Sequence, residues 1–291
     1  MVGDVITDLV VRPRHPVAVA SDTPSAIDAR PGGSGANVAS WLAAQGLETH
    51  FVGCVGKDLF GAFHADDLRR RGVTPYLAVD PRRSTGTVVA LLDGAGERSM
   101  LTDRGANLGL RPEHLPVRLF RRGACLHLSG YTLFDEETRA VALAALRLAR
   151  ERGMLVSVDP SSAAPLAAVG SDRFLAWTRG ADLCFPNLDE GRLLSGENDP
   201  GAVSRALCDW YGGVALTLGA HGALWRRAGD DSVTGPAGPV EVVDSTGAGD
   251  AFCAGFLSRW LTGARGEDAL AAGLALGAAA VARAGARPEL P

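Results

Sequence analysis

Short runs of apolar residues alternate along most of the chain with longer stretches in which apolar positions recur at helical spacing. After residue 124 the alternation is regular. Residues 124–128 read as a strand, 136–152 as a helix that Asp135 caps and Gly153 closes, and 154–158 as the next strand. Residues 182–186 form another, followed by Asn187-Leu188-Asp189-Glu190 entering a helix. A further strand, 214–218, turns at Gly219-Ala220-His221-Gly222. In the N-terminal half, 2–8 reads as the opening strand of the sheet, 51–55 as the next, and 59–71 as a helix ended by Gly72. Strands alternating with helices predict an α/β fold of three layers, a mostly parallel sheet flanked by helices. An opening strand of that sheet would put Asp8 near its C-terminal edge, where open α/β sheets bind ligands.

Two segments break the rhythm. Residues 12–31 are rich in Pro, Ser and Asp, with brief extended runs such as 17–20. Between 73 and 104, strand-like runs at 86–92 and 98–102 flank a hairpin signal, Asp93-Gly94-Ala95-Gly96. Together they predict a small β lid, built from insertions at about 9–31 and 73–104 in a single domain spanning 1–291, that covers a cleft and keeps water from it. The last, Pro-containing residues read as a frayed end.

Residues 240–243 read as a short strand, and residues from 251 as a helix carrying Phe252, Phe256 and Trp260 on one face. Between them lies Asp244-Ser245-Thr246-Gly247-Ala248-Gly249-Asp250. Glycines in such a turn let the backbone approach a ligand, and the first N–H groups of the helix favour an anion. A carboxylate at the same helix start, Asp250, is kept ionised by the helix dipole. An anion hole beside a base points to phosphoryl transfer onto a hydroxyl. An ordinary turn with a helix-capping aspartate has the same residues.

Composition narrows the partner more than the fold. The 291 residues can bury a sizeable core, and 46% hydrophobic with 21% charged residues is ordinary for a globular protein. Lys and Arg number 29 against 33 Asp and Glu, a net charge of −4 without long runs of one sign, so no nucleic acid and no membrane is expected as the main partner. A small molecule fits better. Cys54, Cys125, Cys184, Cys208 and Cys253 form no Cys-x-x-Cys pair and read as reduced residues of a cytoplasmic protein. No secretory leader is expected, and no apolar stretch approaches the roughly 18 residues of a membrane span. The histidines show no paired metal spacing, and His221 is expected at the surface.

Gly32-Gly33-Ser34-Gly35-Ala36-Asn37 leads into a helix with Gly46 at its C-cap. It lacks the Lys and hydroxyl pair of a Walker A loop, and no Gly-x-Gly-x-x-Gly follows a strand. Its glycines would let backbone amides and Asn37 reach ligand hydroxyls, and a plain N-cap loop has the same form. Taken in order, Gly32-Gly33-Ser34-Gly35-Ala36-Asn37-Val38-Ala39, Asn187-Leu188-Asp189-Glu190, Thr217-Leu218-Gly219-Ala220-His221-Gly222 and the turn at 244–250 resemble the ribokinase-like, PfkB-type family of carbohydrate and nucleoside kinases. The resemblance covers essentially the whole chain.

That resemblance implies a role for each motif. Asp250 accepts the proton of the attacking hydroxyl, and the amides of Gly247, Ala248 and Gly249 hold the transferred phosphoryl group. Asn187 and Glu190 position Mg²⁺ on the phosphates of ATP, often through water. Thr217, Gly219 and Gly222 wall the ATP site, while Asp244 and Thr246 stand at a monovalent-cation site, usually potassium. Asp8, Gly32, Gly33 and Asn37 grip the acceptor. Arg98 and Arg104 have the spacing seen in fructokinase and 2-keto-3-deoxygluconate kinase relatives, where a basic residue meets the substrate's charged or hydroxyl-rich end; a solvated lid strand accounts for them equally. Ser34 departs from the lysine that ribokinases often carry, and the 273–284 segment lacks the asparagine that contacts adenine in some members. The implied activity is phosphorylation of a hydroxymethyl group on a ribose-like, fructose-like or 2-keto-3-deoxygluconate-like acceptor. A nucleoside kinase of adenosine or pseudouridine type, and a catalytically silent ligand-binding protein on the same fold, are the alternatives. A homodimer through the lid is the implied assembly.

Overall fold

The computed structural model describes residues 1–92 and 98–290, so the hairpin signal at Asp93 to Gly96 lies outside the described residues. The strands are β1 Ile6–Pro13, β2 Ser25–Gly32, β3 Thr49–Gly56, β4 Val73–Asp80, β5 Thr87–Leu92, β6 Arg98–Asp103, β7 Cys125–Ser129, β8 Leu155–Asp159, β9 Leu183–Cys184, β10 Gly213–Thr217, β11 Ala223–Arg227 and β12 Val233–Gly235. The helices are α1 Ser34–Ala44, α2 Leu59–Arg70, α3 Tyr131–Phe134, α4 Glu136–Glu151, α5 Ala163–Val169, α6 Ser171–Thr178, α7 Leu188–Ser195, α8 Pro200–Leu207, α9 Ala248–Trp260 and α10 Gly266–Val281.

Parallel pairing runs through β7, β8, β9 and β10, and β11 and β12 complete an antiparallel edge. A parallel pair, β3 and β4, lies on the other side. Val2 joins the two blocks through parallel bridges to Val52 and Leu128. Here the opening strand departs from expectation. It gives Val2 to the main sheet, and from Ile6 the chain belongs to a second sheet of order β2-β1-β5-β6, antiparallel to β2 and parallel to β5. Close crossing by α1 accounts for the exit: a Cβ on Gly3 or on Gly35 would come within 2.9 Å of the other's Cα. Asp8 therefore sits on a lid strand rather than on the edge of the main sheet. Val73–Asp80 pairs with β3 along its whole length, so the second lid segment starts at β5.

Side chains alternate across the main sheet and divide the core in two. Val156, Val158, Val214 and Leu216 face α4 to α8, whereas Leu183, Ala215 and Trp225 face α1, α9 and α10. This is the three-layer arrangement expected. Phe256 of α9 is fully buried among Trp225, Phe185 and Trp260, with ring centroids 4.9, 5.4 and 5.8 Å away. Burial of each such ring contributes on the order of 2–3 kcal/mol and fixes α9 on the sheet. Gly255 and Gly273 let α10 lie directly on α9, since a Cβ at either would come within 3.0 Å of the facing helix.

Three further expectations fail for local reasons. Residues 240–243 form no strand, because the Val243 and Asp244 N–H groups both donate to Val281 O, at 2.8 and 3.2 Å, instead of to a neighbouring strand. Residues 17–20 are a turn and irregular chain rather than extended. Residues 286–288 are not frayed: Ala286, Arg287 and Pro288 are buried, and Trp41 Nε1 donates to Ala286 O at 3.0 Å.

Candidate active site

At the start of α9, Gly247 has φ 77°, and a Cβ there would lie 2.6 Å from that of Ala286, so both the turn and its neighbour demand glycine. A Cβ on Gly249 would meet nothing within 4 Å, because that position opens onto the cleft. One turn into the helix, the Asp250 carboxylate is 9% exposed. Its Oδ1 accepts from Ser34 Oγ and its Oδ2 from Asn37 Nδ2, each at 2.8 Å. Burial pushes its pKa up to about 6, with the Asn37 and Ser34 hydrogen bonds and the Arg287 charge acting the other way. A carboxylate poised there is ionised at neutral pH yet basic enough to take a proton.

Asn187 and Glu190 form a reciprocal capping box at the start of α7. Asn187 Oδ1 accepts from the Glu190 N–H, while the Asn187 N–H and Nδ2 donate to the two Glu190 oxygens, all at 2.8–2.9 Å. Burial raises the Glu190 pKa to about 7. Across from it stands Asp159, at the end of β8, whose pKa is raised by burial and then by Glu190 and Asp250. Asp159 was not singled out from the sequence, although it directly follows a predicted strand. No group of three or more ligating side chains is poised on one point among the described residues. The cleft offers instead two buried carboxylates that a divalent cation carried in on phosphates would return to the ionised form, and so sparse a donor set fits Mg²⁺. Thr217 lines the same space. Gly219, exposed, and Gly222, with φ 96° against Gly235, lie beyond it in the turn after β10.

At the opposite end, Asp8, Val88, Met100 and Thr102 close the cleft from the lid, and Gly33 and Asn37 from the start of α1. Gly32 lies beneath the Asp8 carboxylate, and burial raises the Asp8 pKa to about 6. Arg104 enters from below. Its Nη2 donates to both oxygens of Asp4, at 2.9 and 2.7 Å, and its Nη1 donates to Tyr131 O at 2.8 Å and to Asp135. Asp135 stands at the N-cap of α4 but makes no side-chain cap bond, because its carboxylate is turned to Arg104. Asp4 and Tyr131 thus join the site unannounced by any motif. The whole cleft encloses about 400 Å³.

Thr246 lines the cleft, and Asp244 stands two residues before it, outside the lining. Asp244 Oδ1 accepts from the Thr246 N–H at 3.0 Å, its Oδ2 accepts from the Gly285 N–H at 3.1 Å, and Arg30 Nη1 stands 3.7 Å from that oxygen. His221 is exposed in its turn, as expected.

Comparison with known proteins follows the same lines. The model of the pfkB family carbohydrate kinases matches residues 1–291. A fructokinase of Klebsiella pneumoniae is 36% identical over 236 residues, 78% of this chain and 76% of that protein. The adenosine kinase of Sinorhizobium meliloti superposes with a TM-score of 0.89 over 99% of this chain and 94% of its own, at 24% identity, a likeness of fold alone. The fructokinase of Vibrio cholerae O395, solved in fructose, ADP and calcium ion bound form, superposes with a TM-score of 0.82 over 100% of this chain and 94% of its own, at 28% identity.

Proposed function

This chain belongs to the pfkB family of carbohydrate kinases and is a phosphotransferase acting on a sugar hydroxyl, and from that premise we propose that it moves the terminal phosphoryl group of ATP onto a hydroxymethyl group of an uncharged, fructose-like or ribose-like sugar. The observation that carries the reading is Asp250, held by Ser34 and Asn37 at the mouth of a helix N-terminus that opens onto the cleft. Asp250 takes the proton of the acceptor hydroxyl as that oxygen attacks phosphorus. The amides of Gly247, Ala248 and Gly249 receive the charge of the transferred group, and Glu190 with Asn187 would hold Mg²⁺, which would supply charge neutralisation on the phosphates. Thr217, Gly219 and Gly222 flank the nucleotide. Alignment and neutralisation contribute more to such a transfer than proton removal does.

The acceptor's charge class follows from Arg104. It is the one cationic side chain lining the cleft among the described residues, and Asp4 and Asp135 already neutralise it. Among the described residues, an acceptor carboxylate or phosphate would meet Asp4 and Asp8 with Arg104 already paired. In an ADP-release screen we expect fructose or ribose to turn over with kcat/KM at least about a hundredfold above 2-keto-3-deoxygluconate and ribose 1-phosphate. Preference for the anionic acceptors overturns the uncharged class, and preference for adenosine or pseudouridine overturns the sugar. Exchange of potassium for sodium in the same assay tests a monovalent cation at Asp244 and Thr246.

The lid also carries an assembly reading. By register Leu9, Val11, Ile27, Val89, Leu91 and Leu101 share its outer side, and Ile27 and Leu101 are 63% and 66% exposed. A second copy of the chain covers that apolar face. Light scattering should give a dimer for the native protein and a monomer for Ile27→Glu/Leu101→Glu; a native monomer at assay concentration refutes it.

A further inference from the structure

We infer that Arg287, from the tail after α10, is a positioning residue for the base: it fixes the amide of Asn37 and, through it, the carboxylate of Asp250. The inference rests on the reading of Asp250 given above.

The side chain of Arg287 is 2% exposed and all three guanidinium nitrogens are engaged. Nε donates to Asn37 Oδ1 at 3.1 Å, Nη1 to Asp67 Oδ2 at 2.5 Å, and Nη2 to Gly32 O at 2.7 Å. An asparagine amide can present either end to a neighbour, but a guanidinium can only donate. Arg287 therefore holds the oxygen end of Asn37 toward itself and leaves the NH₂ end for Asp250 Oδ2, at 2.8 Å. With Ser34 on Oδ1, the carboxylate is held at both oxygens. Reversal of the amide would set two acceptors face to face. The same guanidinium grips the carbonyl of Gly32, where the lid strand β2 ends and Gly33 turns at φ 94° into α1. One buried group thus ties the base, the acceptor loop and the lid hinge together.

Charge acts in the same direction. Around Asp250 the titratable groups are Asp8 from β1, Asp159 from β8 and Tyr131 from α3, with Glu190 of α7 on the same cleft and Asp244 of the turn acting on Asp8. Asp8 and Asp159, whose own pKa values the Asp250 charge raises, oppose its ionisation in return. Arg287 is the cation that favours it, and it favours ionised Asp8 as well. His64, near Arg287 on α2, is kept neutral: burial holds its pKa down to about 3.

The test is a pH profile. Native kcat/KM should fall as pH drops through about 6, where Asp250 takes a proton. Loss of a cation raises a carboxyl pKa, so Arg287→Met should move that limb up by about one pH unit and lower kcat about tenfold. Asp67 keeps Arg71, whose Nε donates to both its oxygens at 3.0 and 2.9 Å, so this variant leaves no carboxylate bare. Arg287→Lys, which keeps the charge and loses the fork, should restore the limb but only part of kcat. Asn37→Ala combined with Arg287→Met should lose far less than the product of the two single losses, because both act through one bond. A folded Arg287→Met with an unmoved limb, or losses that multiply, overturns the inference. Should Arg287→Met fail to fold, the cycle is read with Arg287→Lys. If native protein releases no ADP with any acceptor, the kinase reading falls and takes this one with it, an outcome distinct from an active enzyme whose limb does not move.

Discussion

Asp250→Asn should lower kcat by about 10³-fold, within the range that a general base contributes, and leave the protein at least as stable as before at pH 7.5. The two effects have one cause. Burial raises the Asp250 pKa to about 6, above its unfolded value, so the folded state disfavours the ionised form. That penalty is absent below the unfolded pKa, grows as pH rises toward 6, and is complete above it. A neutral amide removes it. The new side chain also fits, since its oxygen can accept from Asn37 Nδ2 and its NH₂ can donate to the Ser34 hydroxyl, which rotates freely. Structure survives while the proton acceptor does not. Coupled ADP assays beside a thermal melt check both halves, and sugar-dependent turnover at the native rate would remove Asp250 from the chemistry. A silent binding protein on this fold is separated in the same experiment, because its native form releases no ADP.

Gly249→Ala should have a second large effect, again with opposite signs for stability and activity. Gly249 lies in the first turn of α9, without positive φ, and an added methyl group meets no atom within 4 Å. Alanine in a helix is worth up to about 1 kcal/mol over glycine, so the melting temperature should hold or rise. The methyl group, however, stands in the cleft beside the amides that face the phosphoryl group. Displacing an oxyanion from its donors costs about 10²–10³ in kcat, and that is the loss expected here. Native kcat in a Gly249→Ala enzyme would mean that the transferred group sits elsewhere.

The fold was legible wherever periodicity was local. Regular alternation after residue 124 foretold the parallel sheet, and Phe252, Phe256 and Trp260 foretold the buried face of α9, since both signals lie within a few turns of chain. Asp8, Gly33, Asn37, Arg104, Asn187, Glu190, Thr217, Gly247, Ala248, Gly249 and Asp250 do line one cleft. Asp159 could have been found from its place at the end of a strand. Arg287 could not. Its partners Asp67 and Asn37 lie 220 and 250 residues away, and no spacing rule reaches that far. Arg104 was visible as a basic residue with substrate-binding spacing, but Asp4, 100 residues upstream, decides what its charge is free to meet.

The buried tail sets an order of events. Translation delivers α1 and α2 first, with Asn37 and Asp67 already among their side chains, and the arginine that joins them emerges only after α10. Until then the amide next to the base has no fixed sense and the loop at Gly32 lacks its anchor. A chain stopped before residue 287 would carry every motif of the site while lacking the guanidinium that turns the Asn37 amide toward Asp250.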